Sequence, residues 1–147
     1  MYSDSFAFSI SVLRKHFVAY CSERMAELGV TYSQLFILIY IGKRRQCSPK
    51  EISESLKLDA GQLNRTLSKL IEHGFVDQRK NPMDRRANIV CLTERGSTVF
   101  AASRSLFAEW DEQVLSPLDE NSRHLLIDLL KQITFSMNHH TEESNHE

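Results

Sequence analysis

Asp59-Ala60-Gly61-Gln62-Leu63-Asn64-Arg65-Thr66-Leu67-Ser68-Lys69-Leu70-Ile71-Glu72-His73-Gly74 is the stretch whose reading decides the fold. Its apolar residues fall at Leu63, Leu67, Leu70 and Ile71, the one-sided stripe of a helix packed on a core. Asp59 suits an N-cap and Gly74 a stop just past the end. The other face carries Gln62, Asn64, Arg65, Ser68 and Lys69, hydrogen-bonding side chains with two cations and no acid. Taken alone, this pattern fits an ordinary solvated helix as well as one that reads an anionic surface. Its neighbours decide between them.

Upstream, Ser48-Pro49-Lys50-Glu51 combines an N-cap, a proline at the first helical position and a capping-box glutamate. Ile52 and Leu56 give that short helix an inner face, and only Lys57-Leu58 separates it from Asp59. Two helices joined so tightly, the second with a polar front, predict a helix-turn-helix. Downstream, Phe75–Arg79 alternates like a strand, Asn81–Asp84 reads as a loop and Ala87–Leu92 as the returning strand. The hairpin's long polar tip would hold Lys80, Asp84, Arg85 and Arg86. A basic hairpin in that place is a wing, whose tip reaches the DNA backbone or minor groove.

Further out, Asp4 to Leu28 carries apolar residues at helical spacing and predicts one long helix ended by Gly29. Thr31 and Gln34 have capping-box spacing before Leu35–Ile41, apolar nearly all round. A buried strand is the rival reading there; the cap favours helix. Thr93-Glu94-Arg95-Gly96 opens a fifth helix that Pro117 interrupts, and Leu118–Asn121 starts a sixth, periodic as far as Met137. From Asn138 no period remains, so residues 138–147 are expected to be a disordered tail; a metal at His139, His140 and His146 is the lesser reading.

The chain has 147 residues and a net charge of −1, which suits one soluble domain over residues 1–147. The charge is unevenly spread. Lys43 to Arg95 holds twelve Lys/Arg against seven Asp/Glu, whereas Gly96 onward holds three against nine. A basic middle points to an anionic partner. No apolar run is long enough for a membrane span, and no secretion signal is visible, so the expected location is the cytoplasm. Three widely spaced cysteines argue for free thiols. No catalytic set, phosphate loop or metal-ligand spacing is present, so neither enzymatic activity nor a cofactor is expected.

This order of parts resembles the multiple antibiotic resistance regulator (MarR) family over about residues 4–137. The resemblance rests on Gly29-Val30-Thr31-Tyr32-Ser33-Gln34, on Asp59–Arg65, on Asp84-Arg85-Arg86 in the wing and on Leu92-Thr93-Glu94-Arg95-Gly96. It implies a mainly α fold of six helices with a small β-hairpin wing, assembled as an intertwined homodimer. The winged helix-turn-helix would span about residues 32–92, and the dimerisation helices about 4–28 and 94–137. It implies a repressor of transcription that binds a pseudo-palindromic double-stranded DNA operator and responds to a small-molecule effector. Gly61 departs from the Ser or Thr of many relatives, and Phe6-Ala7-Phe8 lacks the reactive cysteine of the peroxide-sensing subgroup.

Ser48, Lys50, Ala60, Gly61, Gln62, Asn64, Arg65, Lys69, Arg85 and Arg86 are therefore the candidate DNA-binding residues, with Asp84 supporting the wing. Arginine suits the two guanine acceptors, and Asn or Gln suits adenine. Ser48 serves a phosphate, its own helix cap, or both. Asp84 is expected to hold Arg86. Phe17, Tyr20, Tyr32 and Phe36 are the candidate effector pocket by family analogy, with plain core as the alternative. Two rival functions stay open: a winged-helix module that binds protein, and a redox sensor using Cys47 or Cys21. Lys43, Arg44 and Arg45 beside Cys47 make it the thiol expected to have the lower pKa.

Overall fold

Helix α1 (Phe6–Ala26) begins where Ser5 Oγ accepts the Phe8 N–H at 3.3 Å. In the computed structural model, which describes residues 2–144 and the side chains of 3–139, a short 3-10 turn, Tyr2–Asp4, precedes it. The helix is therefore two residues shorter at each end than the sequence suggests. Helix α2 (Tyr32–Arg44) opens on a full capping box: Thr31 Oγ1 accepts from Gln34 N and Gln34 Oε1 from Thr31 N. Leu35, Ile37, Leu38, Ile39 and Ile41 are all buried, which makes α2 the central helix and removes the strand alternative.

Helix α3 (Pro49–Leu56) is closed at its start by the reciprocal Ser48–Glu51 bonds, 3.1 and 2.6 Å. At its end Lys57 takes a left-handed conformation (φ 53°), while Ser53 accepts from Leu58 N and donates its hydroxyl to Leu58 O. These bonds turn the chain within three residues into helix α4 (Ala60–Glu72), which Asp59 caps through Gln62 N at 3.0 Å. Leu63, Leu67 and Leu70 bury the predicted stripe.

The sheet has three antiparallel strands, β1 (Gln46–Cys47), β2 (Val76–Asn81) and β3 (Asp84–Leu92), in the order β1-β3-β2. Strand β1 has no forerunner in the sequence pattern; two residues are too few to show a period, and their partner comes from far along the chain. Val90 is fully buried and aligns with Cys47, also buried, so these two face the core. Cys91 aligns with exposed Gln46 and Asp77 and is only half-buried. A strand's alternation thus places Val90 on the core side and Cys91 on the outer face. Arg79 Nη2 donates to Gln46 Oε1 at 2.7 Å, linking the two outer strands across that outer face.

The wing meets α4 and helix α5 (Glu94–Val114) at one tight junction. Gly74 (φ 79°) ends α4, and its carbonyl accepts the Thr93 hydroxyl at 2.6 Å. Thr93 N donates to Phe75 O at 3.1 Å, and Gly96 N donates back to Thr93 Oγ1. Arg95 donates to His73 O at 2.6 Å and lies over the Phe75 ring. A Cβ at Gly96 would overlap the Phe75 carbonyl oxygen, so only glycine allows α5 to approach this closely.

Where the sequence suggests one domain, the chain divides into two compact units, Met1–Ala108 and Glu109–Glu147. The first contains the buried core. In the second, Arg123 ties the turn between α5 and helix α6 (Glu120–Ser144): Nε donates to Leu115 O at 3.0 Å and Nη1 meets Glu112 at 3.1 Å. No residue of α6 among the described ones is buried. The helix also runs to Ser144, seven residues past its expected end at Met137. No proline or glycine interrupts residues 138–144, so α6 replaces a disordered tail there; residues 145–147 lie outside the described ones. His139 sits on the helix with Nδ1 3.1 Å from Phe135 O, while His146 and the side chains of His140, Glu142 and Glu143 lie outside what is described.

Two of the three thiols belong to the first core. Cys21 is fully buried and Cys47 nearly so, and burial pushes each thiol up to about 11. At Cys47 the nearby Glu51 raises it further and Arg44 only partly offsets this. The basic neighbours thus fail to generate a thiolate, contrary to the sequence expectation, and neither cysteine has the accessible, ionised form a redox sensor needs.

Gly96→Ala should destabilise the protein by about 1–3 kcal/mol or more, read by urea unfolding, because backbone must move to admit the methyl. Native Cys21 and Cys47 should resist a thiol reagent near neutral pH and react on denaturation. Their folded values lie above the ordinary 9.0, so the folded state holds its protons longer. Stability from this source should be intact below about pH 9 and lost between about 9 and 11, measurable by unfolding across that range.

Candidate nucleic-acid interface

Capping and packing fix α4 from behind, and its front is left to solvent. Ala60, Gly61, Gln62, Asn64, Arg65, Ser68 and Lys69 are all exposed. Among the described residues neither Arg65 nor Lys69 has an ion-pair partner. The Thr66 and Ser68 hydroxyls donate to Gln62 O and Asn64 O one turn back, at 3.0 and 2.9 Å. Gln62, Arg65, Thr66, Ser68 and Lys69 together line an open groove of about 440 Å³ along the helix. Thr66 and Ser68 were absent from the sequence candidates, although Ser68 had been placed on the polar face by its spacing.

The structure gives Gly61 a physical reason. A Cβ there would lie 3.2 Å from the Asp59 carboxylate and 3.5 Å from the Arg65 guanidinium. The missing side chain leaves room for the capping carboxylate, while the Arg65 guanidinium would only be in ordinary contact with such a Cβ. At the α3 start, Ser48 is engaged in its capping box, and Lys50 forms a loose exposed pair with Glu54 at 3.8 Å.

In the wing the strands run further than the alternation suggests, leaving Pro82-Met83 as the tip. Lys80, Asp84, Arg85 and Arg86 thus lie in strands, not in a long loop. Pairing jumps from Lys80–Asn88 to Asn81–Asp84, so Arg85, Arg86 and Ala87 bulge out unpaired. Asp84 Oδ1 accepts the Arg86 backbone N–H at 3.0 Å. Asp84 therefore shapes the bulge through the main chain and does not hold the Arg86 guanidinium, which has no ion pair among the described residues.

Behind α4 lies a cavity of about 350 Å³ lined by Arg14, Tyr32, Ser33, Phe36, Ile37, Leu56, Leu58, Gln62, Leu63 and Thr66. Tyr32 and Phe36 stack edge-on with centroids 5.0 Å apart, and Phe17 packs against both. Phe17 and Tyr20 do not line the cavity; Tyr20 carries the Arg24 guanidinium over its ring at 4.9 Å. Burial raises the Tyr32 phenol, and Arg14 partly lowers it. Arg14 was missed, though its place three residues before Phe17 on one helix carried the signal. No group of three or more His, Cys, Asp or Glu suited to a metal occurs among the described residues, and no helix there is long and apolar enough to cross a membrane.

Comparison with known proteins gives the arrangement its place. Residues 28–87 match the family model described as MarR family. The chain is 34% identical over 130 residues to the HTH-type transcriptional regulator BilQ of Clostridium symbiosum, covering 88% of this chain and 90% of that protein. It superposes on the reduced form of MarR from Escherichia coli with a TM-score of 0.81 at 25% identity, over 88% of this chain and 96% of the other. A mutant of the same E. coli protein, solved with operator DNA, gives a TM-score of 0.76 at 24% identity, over 90% and 97% of the two chains. A capped helix-turn-helix, a three-stranded wing and these likenesses together establish that the chain belongs to the MarR family of winged helix-turn-helix transcription regulators.

Proposed function

We propose that this regulator is a homodimeric, ligand-responsive repressor that binds a pseudo-palindromic operator in double-stranded DNA. The observation that carries the reading is the front of α4, where Gln62, Asn64, Arg65 and Lys69 are exposed and neither cation has an ion-pair partner among the described residues. A helix braced by an N-cap at one end and by Arg95 just past the other presents those groups from a backbone that needs no ordering on binding. The likeness to a relative solved with operator DNA supports placing α4 in the major groove. Ala60 and Gly61 permit close approach, Ser48 and Lys50 offer a phosphate site at the α3 start, and Arg85 and Arg86 reach beside the groove.

The dimer reading rests on apolar surface. Phe6, Phe8, Ile10 and Leu13 on α1, and Leu125, Leu129, Ile133 and Phe135 on α6, are each more than a third exposed in the single chain. Side chains of this kind gain about 1.5–3 kcal/mol each when fully buried, which favours a second copy covering them. Two copies would set their α4 helices into half-sites about 10 base pairs apart. The effector reading rests on the cavity behind α4, where Arg14, Tyr32 and Phe36 suit a small aromatic anion. The protein works in the cytoplasm, without a cofactor and without chemistry of its own.

Arg65→Ala should weaken operator binding at least about tenfold, and wild-type affinity should fall steeply with salt, both read by fluorescence anisotropy. Binding that ignores salt and Arg65 would instead favour the protein-binding module. Leu129→Glu with Ile133→Glu should convert a dimer to monomer in sedimentation, with duplex affinity falling in parallel; a wild type that sediments as a monomer would overturn the dimer.

A further inference from the structure

Glu27 and Arg95 line one small cavity of about 250 Å³, whose other walls are Leu28, Phe75, Thr98 and Val99. It shares no lining residue with the cavity behind α4. The two charged side chains are exposed, yet they form no ion pair with each other, and the Glu27 carboxylate has no hydrogen-bond or ion-pair partner among the described residues. Each also stands at the unfavourable end of its own helix. Glu27 caps the C-terminus of α1, and Arg95 is in the first turn of α5. A helix favours cations at its C-terminus and anions at its N-terminus. Arg95 is nevertheless held firmly: its guanidinium lies over the Phe75 ring at 4.3 Å and donates to His73 O at 2.6 Å. Its remaining N–H groups have no acceptor among the described residues. The Thr98 hydroxyl donates to Glu94 O at 3.1 Å, so its lone pairs are left to accept. Phe75 and Val99 are almost wholly buried and Leu28 is half-buried, which gives the cavity an apolar floor.

The cavity thus offers an acceptor pole, a donor pole and an apolar surface between them. An anion alone would face Glu27, a cation alone would face Arg95, and a neutral apolar molecule would take water from both charges without replacing it. A molecule that carries ammonium and carboxylate together answers both poles. We propose that this cavity is a ligand site for an α-amino acid with an apolar side chain: its ammonium on Glu27 and Thr98, its carboxylate on Arg95, and its side chain against Leu28, Phe75 and Val99. Both charges then oppose the ligand's, and the α1 and α5 dipoles act on the ligand with the favourable sign. Because Arg95 also bonds to His73 O, an occupant bears on the end of α4. The site stands independently of the DNA-binding reading, and its chemistry differs from that of the aromatic anion suited to the cavity behind α4.

The test is a ligand-observed NMR titration of the full chain, without DNA, using L-leucine, L-valine, L-methionine and L-phenylalanine. At least one should bind with a Kd below about 10 mM. The amide of the tightest binder, which lacks the carboxylate, and its deaminated acid, which lacks the ammonium, should each bind about fivefold or more weakly. Glu27→Gln should weaken the amino acid by a similar factor and leave the deaminated acid unchanged, which a loss of folding would not do. Thermal unfolding of Glu27→Gln should come no lower than wild type, since the change removes a charge opposed to its own helix. The proposal is overturned if none of the four amino acids binds below about 10 mM, if either analogue binds within roughly twofold of its parent, or if Glu27→Gln binds the amino acid as wild type does. Such a failure would leave operator binding, measured separately, untouched.

Discussion

At Gly96 the α5 backbone lies so near the Phe75 carbonyl that no Cβ would fit between them, and much of the winged lobe depends on this contact. There the end of α4, the start of β2 and the start of α5 meet within a few residues. Thr93 bridges them by bonding to Gly74 and Phe75 on one side and Gly96 on the other. Arg95 donates to the carbonyl of His73, the residue that caps α4, and covers the Phe75 ring, which is itself almost wholly buried. A helix C-terminus normally leaves carbonyls that need partners. Here the same groups that satisfy them also fix where the wing departs. The angle of α4 and the root of the hairpin are set by one cluster of bonds, most of them between the Thr93 and Arg95 side chains and main-chain groups.

Most of this architecture could be read from local chemistry. The caps at Thr31, Ser48 and Asp59 are short-range devices, and each stands in the structure where its spacing put it. The α4 stripe was legible because a helix repeats its buried face every three or four residues. What was not legible depended on distant partners. Strand β1 exists because β3 arrives beside it, and two residues carry no period. The face on which Cys91 falls depends on a register that alternation alone does not anchor. The bulge after Lys80 lengthened the strands by local bonds from Asn81 and Asp84, each indistinguishable in sequence from an ordinary loop residue. Arg14 was hidden for a related reason: the cavity it lines is walled by α1, α2 and both helices of the helix-turn-helix.

Cys47 separates two influences that sequence reading had merged. Cations close in the chain suggested a lowered pKa, but the thiol is buried, and loss of hydration outweighs a partly offsetting arginine. Proximity along the chain measures neither distance nor dielectric. The same distinction favours Arg65 as a working side chain: it is close to Asp59 in sequence, yet its guanidinium remains exposed and without an ion pair among the described residues.

The order of the sheet has a bearing on how this protein behaves at high concentration. An unpaired strand edge is a template on which other chains can add, and a small sheet has two of them. One edge here is β1, only two residues long, and the other is β2, which shows Asp77, Gln78, Arg79 and Lys80 to solvent. Neither offers a long, flat, apolar border, and the bulge twists the far end of the hairpin away from regular pairing. Sheet-to-sheet aggregation is therefore disfavoured at both borders.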